Sequence, residues 1–177
     1  MNVNKEDSMW RVAKFSKVSE KQFVKDWIEA FNCTEEDAIE VYNGIELPKR
    51  GTLYSAGYDF FAPYNIHLEP GAVIKIPTGI RAEMPPTCFL MIAARSGLGT
   101  KFGVCPRNEI AVIDADYAYA ENEGHIAMVM VNNGDKPVDI DAGKGFCQGI
   151  FLPYYITVDD DAKAIRTGGF GSSDRGK

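Results

Sequence analysis

Between Gly51 and Val158 the chain is punctuated too often for helices. Short apolar or alternating runs follow one another, separated by Gly, Pro, Asn and Asp. Alternation with a period of two sends successive side chains to opposite faces, the mark of a half-buried strand. Strands are predicted over residues 58–62, 66–68, 72–76, 79–84, 87–94, 110–114, 125–131, 137–140 and 146–158. Pro70-Gly71 and Asn133-Gly134 read as turns, and 97–101 as a short helical turn. Many strands at such close spacing point to an all-β barrel or sandwich. No three-turn helix, internal repeat or heptad interrupts them.

The chain ahead of Pro48 has a different period. Residues 11–18 alternate loosely, as a short strand does. Ser19 with Gln22 resembles a capping box, so a helix starts there. Phe23, Val24, Trp27, Ile28 and Phe31 then fall on one stripe at helical spacing. Thr34 and Asp37 repeat the capping signal before Ala38, Ile39, Val41 and Tyr42, and the second helix breaks near Asn43-Gly44. The aromatic stripe is expected to pack on the outside of the main body. Three parts result: an N-terminal extension over 1–44, a β domain over 45–165 and a Gly-rich C-terminal segment over 166–177.

The 177 residues suffice for one domain with a sizeable core and an appendage. A net charge of −6 gives non-specific nucleic-acid binding no help, so no direct nucleic-acid partner is expected. An anionic small substrate needs local positive charge or a metal. No stretch approaches a membrane span and no basic-then-apolar leader opens the chain, so a cytoplasmic location without membrane attachment is expected. Cys33, Cys88, Cys105 and Cys147 show no metal or redox spacing and read as small buried hydrophobes in a reducing compartment. His67 and His125 are too isolated for a histidine-rich metal site.

Five polar islands interrupt the β pattern. In Ala111-Val112-Ile113-Asp114-Ala115-Asp116-Tyr117, an apolar run stops at two carboxylates two residues apart, and an aromatic ring follows. The segment reads either as a turn with a solvated charge pair or as a water-activating carboxylate beside a flat ring. Ser55-Ala56-Gly57-Tyr58-Asp59-Phe60 places a carboxylate at a strand start, as a turn residue or an outer ligand to a metal-bound water. Arg95-Ser96-Gly97-Leu98-Gly99, followed by Lys101, makes a reasonable phosphate cradle without the ending of a P-loop. The fourth island is Gly143-Lys144-Gly145-Phe146-Cys147-Gln148-Gly149. The fifth is the C-terminal RTGGFGSSDRGK, readable as a loose tail or as an arm that closes over an anion carrying a flat group.

Taken in order, the five islands resemble the motifs of the trimeric dUTPase family (deoxyuridine triphosphate nucleotidohydrolases), of a bacterial or bacteriophage type with an N-terminal extension. The resemblance covers residues 45–173, and Pro77-Thr78-Gly79 and the Asn108 region also look like that family's framework. It implies a distorted jelly-roll barrel assembled as a homotrimer with shared active sites. It implies hydrolysis of dUTP to dUMP and diphosphate with Mg²⁺, which limits uracil in DNA and supplies dUMP for thymidylate synthesis. Carried onto this chain, Asp114 matches the base that activates water, and Tyr117 the ring against deoxyribose that crowds out a 2′-hydroxyl. Asp59 matches the aspartate that reaches the metal through water, the metal being held mainly by the triphosphate. Arg95, Ser96 and Gly97 match the phosphate motif, and Gln148 the glutamine at the phosphates. Residues 104–113, with Asn108 at the tip and Ile113 near its end, match the hairpin that reads uracil through main-chain groups. Arg166 matches the γ-phosphate ligand, Phe170 the lid over uracil, and Gly171, Ser172 and Ser173 the phosphate contacts of the arm.

The chain departs from the family pattern at several places. Ala94 and Ala111 stand where Pro and Gly are common, and Lys144-Gly145 replaces a frequent Asp-Arg, so the salt bridge of that pair is absent or rebuilt. Asp174 brings negative charge to the phosphate end of the arm. Residues 118–125 form a longer acidic link than usual, and either this loop or the N-terminal extension is a place for a regulatory protein partner. The rival readings are a dCTP deaminase or bifunctional deaminase on the related fold, and a trimeric protein-binding module.

Overall fold

The computed structural model describes residues 11–164 together with Arg166 and Gly168. Its elements, in chain order, begin with β1 (Lys14–Lys17), α1 (Glu20–Phe31), α2 (Glu35–Gly44), β2 (Lys49–Arg50), β3 (Tyr58–Phe61), β4 (Ile66–Leu68), β5 (Val73–Pro77) and β6 (Ile80–Glu83). They continue with β7 (Cys88–Ala94), α3 (Ser96–Phe102), β8 (Val104–Pro106), β9 (Ala111–Ile113), β10 (Ala127–Asn132), β11 (Val138–Ile140) and β12 (Gly145–Pro153). A 3₁₀ turn over Ala115–Tyr119 follows β9.

All strand pairs among the described residues are antiparallel. The largest sheet has the order β2-β3-β12-β7-β9, a second the order β5-β10-β8, and β4–β11 and β1–β6 form two-stranded ribbons. The alternation read from the sequence is what closes them on one core. Phe60, Leu90, Ile92, Ile113 and Phe146 point inward from the largest sheet, and Ile76, Met128, Met130 and Val104 from the second. Ile66, Leu68, Val138 and Ile140 fill the same cluster from the β4–β11 ribbon. This is the all-β, distorted jelly-roll barrel expected.

The extension folds for local reasons and then packs for non-local ones. The Ser19 hydroxyl accepts from the Gln22 amide, and Thr34 and Asp37 form a reciprocal capping box. Gln22, however, turns to Asp26 (2.8 Å), so the first cap lacks its reciprocal half from within the helix. Phe23 and Trp27 are buried; the two rings stack 5.1 Å apart, and Trp27 meets Tyr64 of the main body edge-on at 5.1 Å. Burying each contributes about 2 kcal/mol. Tyr42 of α2 donates to the Val18 carbonyl (2.8 Å), tying α2 to the end of β1.

Four expectations change. The strand expected over 146–158 stops at Pro153, which pairs with Cys88, the first residue of β7. Beyond it the Tyr154 amide still donates to the Thr87 carbonyl (3.2 Å), but the neighbouring chain then runs into Pro86 and Pro85, without amides to extend the ladder, and Tyr155 and Val158 are fully exposed. The turn over 97–101 is the longer α3. β2 and β8 are strands that the sequence pattern did not single out, being too short for alternation to register. Of the four cysteines only Cys147 is buried; Cys33, Cys88 and Cys105 are partly exposed, and all four are free thiols. Burial pushes the Cys147 thiol well above its ordinary range, which leaves it inert.

Candidate active site

The largest sheet sets the first half of the site by register. Asp59 on β3 pairs with Gln148 on β12, and Gln148 with Ala93 on β7. Arg95 follows directly as β7 gives way to α3, whose first residues are Ser96 and Gly97. Arg95 Nε lies 3.1 Å from Asp59 Oδ1, and its Nη1 donates to the Gly145 carbonyl at 3.2 Å. This pair joins the first motif to the second; within the fourth, where Lys144-Gly145 stands, the salt bridge was expected to be absent or rebuilt. Asp59, Arg95, Ser96 and Gln148 line a cavity of about 380 Å³ with Gly51, Ser55, Ala56 and Gly57. A Cβ on Gly57 would come within 2.6 Å of Gln148 Oε1, so a side chain there has to push aside the end of that glutamine. Arg95, Ser96 and Gly97 also face a groove of about 480 Å³ that holds Lys101 and Lys144 together with Asp139 and Asp141. Arg95, Lys101 and Lys144 supply positive charge and hydrogen-bond donors for an anion.

The second half lies at the other end of β7. β9 pairs with β7 so that Ile113 stands opposite Leu90, and Asp114 emerges just past that pair. The chain then turns through the 3₁₀ segment, which brings Tyr117 under the carboxylates. Arg166 spans both acids: its Nη2 lies 2.5 Å from Asp114 Oδ2 and its Nε 2.8 Å from Asp116 Oδ1. Its guanidinium sits 5.8 Å from the Tyr117 ring centroid. Asp114 and Asp116 are exposed, whereas Tyr117 is only 3% exposed. The Tyr117 hydroxyl donates to the His125 carbonyl (2.8 Å) and accepts from Asn122 Nδ2 (2.8 Å). Burial, in the main, raises its pKa, so the hydroxyl stays a donor.

The two halves are separate within one chain. From Leu90 to Arg95 is five residues of β7, about 17 Å along the strand. Asp114 therefore does not face the cavity that Arg95, Ser96 and Gln148 line. The 104–113 segment bridges two sheets: β8 pairs with β10, and β9 with β7. Its turn is closed by Glu109 N–H to Pro106 O (2.8 Å) and Ile110 N–H to Asn108 O (2.6 Å), with Asn108 exposed. The Ile113 side chain is buried at 2% exposure and packs in the core. Phe170, Gly171, Ser172 and Ser173 lie outside the described residues.

Among the described residues, no cluster of three or more His, Cys, Asp or Glu is arranged to hold a metal ion. One partly exposed carboxylate, Asp59, stands at the cavity. That donor set fits Mg²⁺ in the form in which it is bound chiefly by substrate phosphates and reached through water.

Several residues around Tyr117 carry no motif signal. Asn122 and His125 fall in the 118–125 loop, and Asp26 lies in α1. The only pointer in the sequence was the unusual length and composition of that loop.

Residues 43–174 match the family model described as dUTPase. A curated deoxyuridine 5′-triphosphate nucleotidohydrolase from Lactococcus lactis is 41% identical over 133 residues, 73% of this chain and 89% of that protein. The crystal structure of dUTPase from Streptococcus mutans is similar with a TM-score of 0.60 and 31% identity, over 81% of this chain and 97% of that one. A variant dUTPase from phage phi11 of S. aureus, described with a structural Mg(II) ion, shares the fold at 16% identity and a TM-score of 0.60, over 89% of this chain and all of that one. No helix among the described residues is long and apolar enough to cross a membrane.

Proposed function

The chain belongs to the dUTPase family, and from that premise we propose that it hydrolyses dUTP to dUMP and diphosphate at a site shared between copies. Asp114 accepts a proton from the attacking water. The water oxygen bonds to the α-phosphorus, the α–β phosphoanhydride bond breaks, and diphosphate leaves with the electron pair. Arg95, Ser96 and Gln148 hold the phosphates, Tyr117 packs on deoxyribose, and main-chain groups of 104–113 read the uracil edge. Mg²⁺, when bound, offsets the charge of the triphosphate, and Asp59 is the side chain that reaches it, through water.

The observation that carries this reading is the separation along β7. A base about 17 Å from the phosphate cradle of its own chain is useful only if a second copy supplies the missing half. A homotrimer with three such sites satisfies both halves of every chain. Arg166 rests on Asp114 and Asp116. The γ-phosphate of a bound substrate competes for that guanidinium, and its departure frees Asp114 Oδ2 for the water. The reaction takes place in the cytoplasm, lowers dUTP before it enters DNA, and feeds dUMP to thymidylate synthesis. A regulatory protein meeting the 118–125 loop would find Tyr119 and Glu121, because Glu123 and His125 are engaged by α1.

The test is a panel of dUTP, dTTP, dCTP and UTP, with and without Mg²⁺, followed for diphosphate and ammonia. Diphosphate from dUTP alone, dependent on Mg²⁺, is the expected result. Ammonia from dCTP would replace this reading with a deaminase.

A further inference from the structure

The Tyr117 ring is held from behind by a chain of hydrogen bonds that ends in the N-terminal extension. The Tyr117 hydroxyl donates to the His125 carbonyl at 2.8 Å. The His125 side chain is 1% exposed, and both its nitrogens are committed. Nε2 accepts from the Gly79 amide at 2.8 Å, so the proton of the neutral ring is on Nδ1. Nδ1–H donates to Asp26 Oδ2, 2.5 Å away on α1. Asp26 also accepts from Gln22 at 2.8 Å. Burial works to raise the Asp26 pKa, but the His125 and Gln22 hydrogen bonds outweigh it and the net shift is downward.

A second tie runs beside the first. Glu123 accepts from both the amide and the hydroxyl of Ser19, each at 2.7 Å, which completes the α1 cap from 104 residues away. Between the two ties, Gly124 has φ +71°, and a Cβ there would lie 2.7 Å from the Tyr117 carbonyl oxygen and the Ala118 Cα. The loop is therefore pressed against the Tyr117 backbone while its C-terminal end is fastened to α1 and its cap at Glu123 and His125. Asp26 and Ser19 lie outside residues 43–174, the part that matches the family model.

We propose that Asp26 and His125 are positioning residues for sugar selection: through the Tyr117 hydroxyl, the N-terminal helix holds the ring where a ribose 2′-hydroxyl would have to be. This rests on the reading of Tyr117 as the deoxyribose platform. Steric rejection of one extra oxygen needs a ring that does not yield. A ring tethered at its hydroxyl end cannot slide back along its long axis, and small displacements near reacting groups carry large kinetic effects.

The measurement is kcat/KM for dUTP and for UTP, on the full chain and on Asp26→Ala, Asp26→Asn, Tyr117→Phe and the Asp26→Ala/Tyr117→Phe double variant. The dUTP-over-UTP ratio is expected to fall about tenfold in Asp26→Ala and in Tyr117→Phe. The double variant is expected to fall no further than either single one, since both act through one tether. Asp26→Asn keeps an oxygen acceptor for Nδ1–H and is expected to restore most of the ratio. A merely structural role cannot produce this pattern, because a smaller folded fraction lowers both rates equally and leaves the ratio alone. Asn122→Ala, which removes a hydrogen bond to the Tyr117 hydroxyl without touching α1, covers the case in which Asp26→Ala does not fold; it is expected to shift the ratio the same way. A selective wild-type enzyme whose ratio is unchanged in Asp26→Ala, or in Asn122→Ala where Asp26→Ala is insoluble, overturns the inference alone. A wild-type chain that leaves dUTP intact overturns the functional reading and this inference with it.

Discussion

At the Arg95 end of β7, Arg95 and Ser96 are exposed, Asp59 and Gln148 half-buried, and the main fixed contact is a single ion pair of 3.1 Å. At the Asp114 end, Tyr117 is buried and its hydroxyl is tied to a loop that α1 clamps at two points. On the function proposed above, the difference follows from what each end recognises. A triphosphate is flexible and strongly charged, so donors on mobile side chains can close around it. A deoxyribose differs from ribose by one oxygen, and only a rigid surface can reject that oxygen. Charge recognition tolerates movement; steric exclusion does not.

The largest effects should separate the two ends outright. Asp114→Asn is expected to retain dUTP binding while turnover falls about a thousandfold; full turnover would remove Asp114 as the base. Mixing that variant with Arg95→Ala, under conditions that exchange subunits, should restore activity, because each supplies the half the other lacks. Two inactive variants that stay inactive when mixed would mean that each chain uses its own two ends. Truncation after Ile165 removes Arg166 and the rest of the arm. The fold is expected to remain, with unchanged circular dichroism, and activity to drop about a hundredfold. Normal hydrolysis by the truncated chain would end the account of Arg166 and the arm.

Smaller effects sharpen the contrast. Gly57→Ala should raise KM for dUTP about fivefold with little change in melting temperature, since the new methyl displaces the end of a flexible glutamine. An equal fall in stability would show that the phosphate corner is as rigid as the other end. Glu123→Gln is expected to lower stability at pH 7 by about 0.5 kcal/mol, as loss of a partly exposed cap. The Ser19 amide and hydroxyl hold the Glu123 carboxyl below its ordinary 4.5, and hydrogen bonds hold Asp26 below 3.8. Folded values below unfolded ones stabilise above those ordinary values and are lost as the pH falls through the lower, folded ones. Denaturant titrations across pH 5 to 2 should therefore show a shallower acid loss in Glu123→Gln than in the wild type. Identical slopes would remove Glu123 from the clamp.

Much of this architecture was legible in single-residue patterns. Ser19 and Thr34 announced the helices because a cap is satisfied three residues away. The strands showed through alternation because one face of each meets the core. The five islands, taken in order, carried Asp59, Arg95, Gln148, Asp114 and Arg166. What a pattern within the chain could not carry was which island faces which.

The amino-acid sequence by itself determined most of the strands, the two capped helices and the kinds of side chain gathered at the candidate site, because each depends on neighbours within a few residues. Tertiary structure alone decided the rest. Strand register put Arg95 and Asp114 at opposite ends of β7, packing buried Tyr117, and folding brought Asp26 to His125 across 99 residues. Those choices come from register and core packing, which join residues that no local period relates.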